Sequence, residues 1–133
     1  MTVFVDTSAL YAVLDRDDAN HPAARETWKR LLLDPSALLL THNYVLVETA
    51  ALLQNRRGID VVRTLYEKVV PMIRIDWLDE QRHRMAIEML LTAARKKLSL
   101  VDCASFLVMR DHAVTHAFCF DRHFAEQGFQ PLP

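Results

Sequence analysis

Apolar positions along the chain alternate between two rhythms, short unbroken runs and longer stretches in which they recur every three or four residues. Thr2–Val5 is an apolar run that stops at Asp6, and over residues 7–15 Leu10, Val13 and Leu14 follow at helical spacing. A strand and then a helix are expected. Pro22 suits the first turn of a second helix, whose apolar members Ala24, Trp28, Leu31 and Leu32 run to the stop at Asp34-Pro35. Leu38–Thr41 reads as the second strand. Asn43 is the expected cap of a helix over Tyr44–Arg57, which Gly58 is placed to end in the left-handed conformation. Residues 60–69 form a further helix, Met72–Ile75 the third strand, and Asp76 or Asp79 opens a long helix over Glu80–Lys97. Ser99 starts a helix that runs to about His112. Ala117–Phe120 is the fourth strand, and a short helix and Gly128 lead to a last strand near Phe129-Gln130.

Strands separated by helices pair in parallel through right-handed crossovers, so the expected fold class is α/β, with a central parallel sheet covered on both faces. In such sheets the ligand crevice lies beyond the carboxyl ends of the strands, where the strand order reverses. With 133 residues, 51% apolar and 25% charged, residues 1–133 are expected to form a single domain. No apolar stretch approaches the ~18–20 residues of a membrane span, and the N-terminus lacks the basic flank and apolar core of a leader, so a cytoplasmic protein with no membrane partner is expected. Cys103 and Cys119 each sit in an apolar segment and are expected to behave as small buried hydrophobes in a reducing compartment. A formal charge of -1 excludes polyanion binding through the field of the whole protein and leaves it to local patches.

Four acids stand out against this frame. Asp6 directly follows the first strand and Asp121 the fourth, so two carboxylates share one rim of the sheet. Glu48 lies in YVLVETAALL, where Tyr44, Val47, Ala51 and Leu52 flank it at helical spacing and place it on an apolar face, an expensive position for a lone charge. Asp102 is three residues after Ser99, in the first turn of its helix. Each has an ordinary explanation when taken singly: an aspartate cap for Asp6 and Asp121, a capping box for Asp102, and a helix-edge charge reaching solvent or a basic partner for Glu48. Together they would repel one another and take up protons unless a cation neutralised them. An all-oxygen donor set suits Mg²⁺ or Mn²⁺, whereas zinc recruits cysteine or histidine. His112 and His116 have no cysteine pair beside them and are read as surface or loop histidines. A carboxylate-held Mg²⁺ polarises a phosphate oxygen and acidifies bound water, so the implied reaction is phosphodiester hydrolysis.

The order FVDTSAL, VLVETAALL, LSLVDCASF and AFCFDRHF resembles the PIN-domain nucleases, and within them the VapC-type toxins of bacterial toxin–antitoxin pairs, over essentially the whole chain. The resemblance implies a three-layer α/β/α fold and an endoribonuclease dependent on Mg²⁺ or Mn²⁺. By it Asp6, Glu48, Asp102 and Asp121 form an acidic quartet. Asp6, Asp102 and Asp121 hold one or two ions, and Glu48 completes the cage or helps take the proton from the attacking water. Thr7 or Ser8, together with Ser99, are polar groups beside the acids. An RNA substrate needs cations flanking that cluster, and Arg95-Lys96-Lys97 and Arg122 are the candidates, although a basic run at a helix end is also an ordinary solvated terminus. Arg56-Arg57 before Gly58 has the same ordinary explanation. A cognate antitoxin whose peptide lies across the groove and a homodimer are also implied, and the apolar positions of the helix pair at 43–70 serve equally as a dimer surface or as core. The family commonly places Thr or Ser two residues before the last acid, where this chain has Cys119, a poor hydrogen-bond partner. Trp28, Trp77, Phe106 and Phe120 are expected in the core. Three other functions fit the residues less well: an aspartyl phosphotransfer enzyme wants a second aspartate where Ser8 stands, a receiver-like module wants an acidic pair and a lysine, and a PIN domain that binds RNA or protein without cutting predicts a missing acid.

Overall fold

The computed structural model describes residues 1–132. Its elements run β1 (Thr2–Val5), α1 (Thr7–Leu14), α2 (His21–Leu33), β2 (Leu38–His42), α3 (Asn43–Arg57), α4 (Ile59–Thr64), β3 (Arg74–Asp76), α5 (Glu80–Ala93), α6 (Leu100–Asp111), β4 (His116–Phe118), α7 (His123–Glu126) and β5 (Gln130–Leu132). Every pairing is parallel and the strand order is β3-β2-β1-β4-β5. The expected α/β class, with helices over a central parallel sheet, is what the chain adopts.

Burial explains the order. Val3, Phe4 and Val5 of β1 are fully buried, as a central parallel strand covered on both faces requires. The edge strands are less apolar: Arg74 of β3 and Gln130 of β5 are exposed, and Pro131, which has no N–H to donate, sits in β5. Phe4, Phe106 and Phe124 are all buried, Phe124 lies 6.0 Å from Phe4 and meets Phe106 edge-on at 5.2 Å, so α6 and α7 cover the Phe4 face of β1.

Several boundaries differ from the expected ones for local reasons. His42, not Asn43, caps α3, its Nδ1 accepting from Tyr44 N and Val45 N, while Asn43 Oδ1 accepts from Leu78 N and ties α3 to the segment after β3. Asp79 caps α5, whereas Asp76 is taken by a two-bond pair with Arg82 at 2.7 and 2.9 Å and by His112. The 80–97 helix stops at Ala93 because Ala94 turns left-handed (φ 52°) and delivers Leu98 to the core. Residues 60–69 are helical but widen into a π turn over Leu65–Val69. β4 ends at Phe118, two residues before the expected end, and β5 extends to Leu132. Trp77 is 67% exposed and not a core residue. Among the described residues no helix is long and apolar enough to cross a membrane.

Candidate active site

In this order β1 leads to β2 on one side and β4 on the other, so the reversal lies between β1 and β4. Asp6 leaves β1 and Asp121 follows β4 on the two sides of that reversal, and α6 brings Asp102 in from the helical layer. The three carboxylates are close enough to act on one another. Burial first, and then the charges of Asp102 and Asp121, raise the Asp6 carboxyl to about 7 against the pull of its Ser8 hydrogen bonds. Asp102 is raised as well, by burial and then by Asp121.

Capping and chemistry prove compatible, because each acid commits one oxygen to the backbone and keeps the other. Asp6 Oδ2 accepts from Ser8 N at 3.2 Å and Ser8 Oγ at 2.7 Å. Asp102 Oδ2 accepts from Ser99 N at 3.1 Å while Ser99 Oγ accepts from Asp102 N, a complete capping box. Asp121 Oδ1 accepts from His123 N at 2.8 Å. Oδ1 of Asp6, Oδ1 of Asp102 and Oδ2 of Asp121 take part in no hydrogen bond among the described residues. Ser8 also accepts from Phe120 N at 2.9 Å, so one hydroxyl joins the Asp6 carboxylate to the loop that carries Asp121. Thr7, beside Asp6, is buried and its hydroxyl has no hydrogen-bond partner among the described residues.

Glu48 is not among the groups that shift Asp6 or Asp102, and it comes from α3. The buried face of α3 consists of Val45, Leu46, Thr49 and Leu53, whereas Tyr44, Val47, Glu48 and Ala51 form an outer stripe on which Val47 is 68% exposed. The helical spacing around Glu48 is apolar, but α3 carries two apolar stripes and Glu48 belongs to the outer one. Its half-buried side chain lines a shallow trough with Tyr44, Val47, His83, Leu100 and Val101, which puts it against the first turn of α6.

His123 is a site residue that the sequence reading missed. A donor atom of His123 lies within 4.8 Å of donor atoms of both Asp102 and Asp121. Its Nε2 is 3.1 Å from the Lys97 carbonyl, which can only accept, so that nitrogen carries a proton and is not a metal donor while the bond stands. The DRHF run that places a histidine two residues after the acid was the available signal. Cys119 is buried, and its thiol is pushed up to about 12 by burial and then by Asp6 and Asp121, so it stays protonated.

The expected cations are unequal. Arg95 pairs with Glu126 at 2.9 Å and Arg122 approaches the same carboxylate at 3.8 Å, whereas Lys96 and Lys97 are exposed and unpaired among the described residues. Arg57 is bound to Asp15 and Asp17 and Arg56 lies over the Tyr11 ring. These two serve the α1–α3 contact.

Three carboxylates, with a raised proton affinity in two of them and hard oxygens left free, form a donor set that fits a divalent cation. The PIN domain family matches residues 3–130. A Mycobacterium tuberculosis protein named 23S rRNA-specific endonuclease VapC20 is 31% identical over 128 residues, 96% of this chain and 95% of that one. The crystal structure of VapC20 described as a sarcin–ricin loop cleaving toxin superposes with a TM-score of 0.85 at 30% identity, covering 96% of this chain and 95% of that one. FitAcB from Neisseria gonorrhoeae shares the fold, with a TM-score of 0.67 at 17% identity over 100% of this chain and 97% of that one. A parallel sheet in this strand order, acids on both sides of its reversal and a match across nearly the whole sequence make the chain a member of the PIN-domain family, of the VapC type.

Proposed function

We propose that this protein is an endoribonuclease toxin, dependent on Mg²⁺ or Mn²⁺, that hydrolyses a phosphodiester bond in ribosomal RNA. The observation that carries the reading is the junction of Asp6, Asp102 and Asp121 at the strand-order reversal, each with one oxygen anchored and one free. The 23S rRNA specificity in the name of the similar VapC20 supports the substrate class.

The free oxygens of Asp6, Asp102 and Asp121 would hold the ion, which supplies Lewis acidity toward a phosphate oxygen and lowers the pKa of water. Asp6 gives up the proton that it otherwise retains to about pH 7. Ser8 and Ser99 keep the anchored oxygens in place, so the carboxylates need little rearrangement. Glu48, on the wall of the trough against the first turn of α6, would accept the proton of the attacking water. Lys96 and Lys97 bind phosphates on the rim, where the acids alone would repel RNA. The antitoxin's peptide would cross the crevice. A second copy would sit on the exposed apolar positions Val47, Ile59 and Tyr66 of the 43–70 segment, and the whole assembly would work in the cytoplasm.

The test is cleavage of a 23S rRNA fragment containing the sarcin–ricin loop by pure protein in Mn²⁺ or Mg²⁺, against a chelator and against Asp6→Asn and Asp102→Asn. Loss of cleavage in all three controls is expected. Cleavage that survives the chelator or both substitutions would reject the reading, and RNA binding without cleavage would favour a non-cutting module.

A further inference from the structure

His42 is fully buried at the junction of β2 and α3, and both of its ring nitrogens are committed. Nδ1 faces two backbone donors, Tyr44 N at 3.2 Å and Val45 N at 3.4 Å, so it carries no proton and caps α3. The ring is neutral, since burial depresses its pKa to about 3, and the proton therefore sits on Nε2. Nε2 is 2.8 Å from Ser105 Oγ, which itself donates to the Val101 carbonyl at 2.8 Å. The chain of bonds has one direction, from imidazole N–H to hydroxyl to carbonyl, with no alternative assignment of protons.

Capping α3 uses only Nδ1, and Asn or Ser would cap as well without reaching Ser105. The second nitrogen does a separate job. It grips α6 between Val101 and Ser105, and Asp102 lies within that turn. The same ring therefore fixes the start of the helix that carries Glu48 and the first turn of the helix that carries Asp102. We infer that His42 is a positioning residue, which sets Asp102 relative to Glu48 and the strand-end acids by joining the α3 cap to the Ser105 hydroxyl.

This inference rests on the metal-site reading, and Asp102→Asn is the arm that reports on that reading alone. Asn at position 42 supplies an oxygen where Nδ1 was but cannot reach Ser105, whereas Gln supplies an N–H where Nε2 was but loses the cap. His42→Asn is expected to keep a native fold and an unchanged KM for the rRNA fragment while kcat and Mn²⁺ affinity, the latter read by titration calorimetry, each fall at least tenfold, within the ~10–100-fold range for outer partners of metal ligands. Ser105→Ala, which leaves the cap untouched, is expected to do the same, and the double variant to be no worse than either single one. His42→Gln is expected to melt lower than His42→Asn yet to recover kcat and Mn²⁺ affinity to within about threefold of the starting protein, because it restores the N–H that reaches Ser105. Activity and Mn²⁺ affinity that follow melting temperature across the series, or that stay within twofold in Ser105→Ala, would overturn the inference. Wild-type Mn²⁺ affinity and cleavage in Asp102→Asn would instead retire the metal site itself.

Discussion

Asp6 offers the sharpest quantitative test, because folding penalises its charged form. The carboxyl rises from an ordinary 3.8 to about 7 on folding, chiefly by burial and further by Asp102 and Asp121. The folded state then holds the proton more tightly than the unfolded chain does. Below pH 3.8 both states are protonated and nothing is lost, between 3.8 and 7 only the unfolded chain ionises, and above 7 the penalty is complete. A little over three decades in acid dissociation, at about 1.4 kcal/mol each, amounts to about 4 kcal/mol of stability withheld at pH 8. Asp6→Asn removes the titrating group. Its stability relative to the starting protein, from urea unfolding in chelator, is expected to improve by about 4 kcal/mol between pH 4 and pH 8, any constant change in the Ser8 bonds cancelling across the pH range. The same variant should be inactive, and saturating Mn²⁺ should stabilise only the starting protein at pH 8. A stability difference that stays flat to within about 1 kcal/mol from pH 4 to pH 8 would refute the buried, proton-retaining state of Asp6 on which this reasoning rests.

Glu48→Gln should lower kcat about a hundredfold, in the range of a lost general base, with Mn²⁺ affinity unchanged, because in the proposed site Asp6, Asp102 and Asp121 hold the ion and Glu48 only accepts the proton; single-turnover cleavage beside calorimetry checks both. Lys96→Ala with Lys97→Ala should weaken RNA binding and reduce the slope of log affinity against log salt by about 1.5, measured by fluorescence anisotropy. Ala113 ends α6 in the left-handed conformation (φ 54°), with Val114 N bonded to Met109 O and Ala113 N to Arg110 O. Ala113→Gly should therefore stabilise the fold by about 0.5–1 kcal/mol in urea unfolding and leave cleavage unaltered.

The alternation of apolar runs with helical periodicity was enough for the class of fold and for the shared rim of Asp6 and Asp121, since residues after parallel strands emerge at one edge whatever the loops do, whereas the adjacency of β1 and β4 came only with the fold. The Ser99–Asp102 box was equally local, and the structure shows both of its bonds. Other features were settled only by packing. Which stripe of α3 faces inward could not be read from a helix apolar on two sides, so Glu48 came out beside a solvent-facing trough. Good helix formers carried the 80–97 reading past Ala93, where burial of Leu98 required the chain to turn. His42 and His123 gave no signal that periodicity can register. A histidine becomes a bridge only when its two nitrogens find partners, and those of His42, at Tyr44, Val45 and Ser105, are close in space because β2 and α6 lie side by side. Periodicity is a property of neighbours along the chain and so determines the elements and the edge at which their acids emerge. The bonds that anchor one oxygen of each acid are local too, but burial and the meeting of distant side chains are not, so the tertiary fold alone decided how deeply Asp6 is buried, which elements bring the acids together and that His42 bridges α3 to α6.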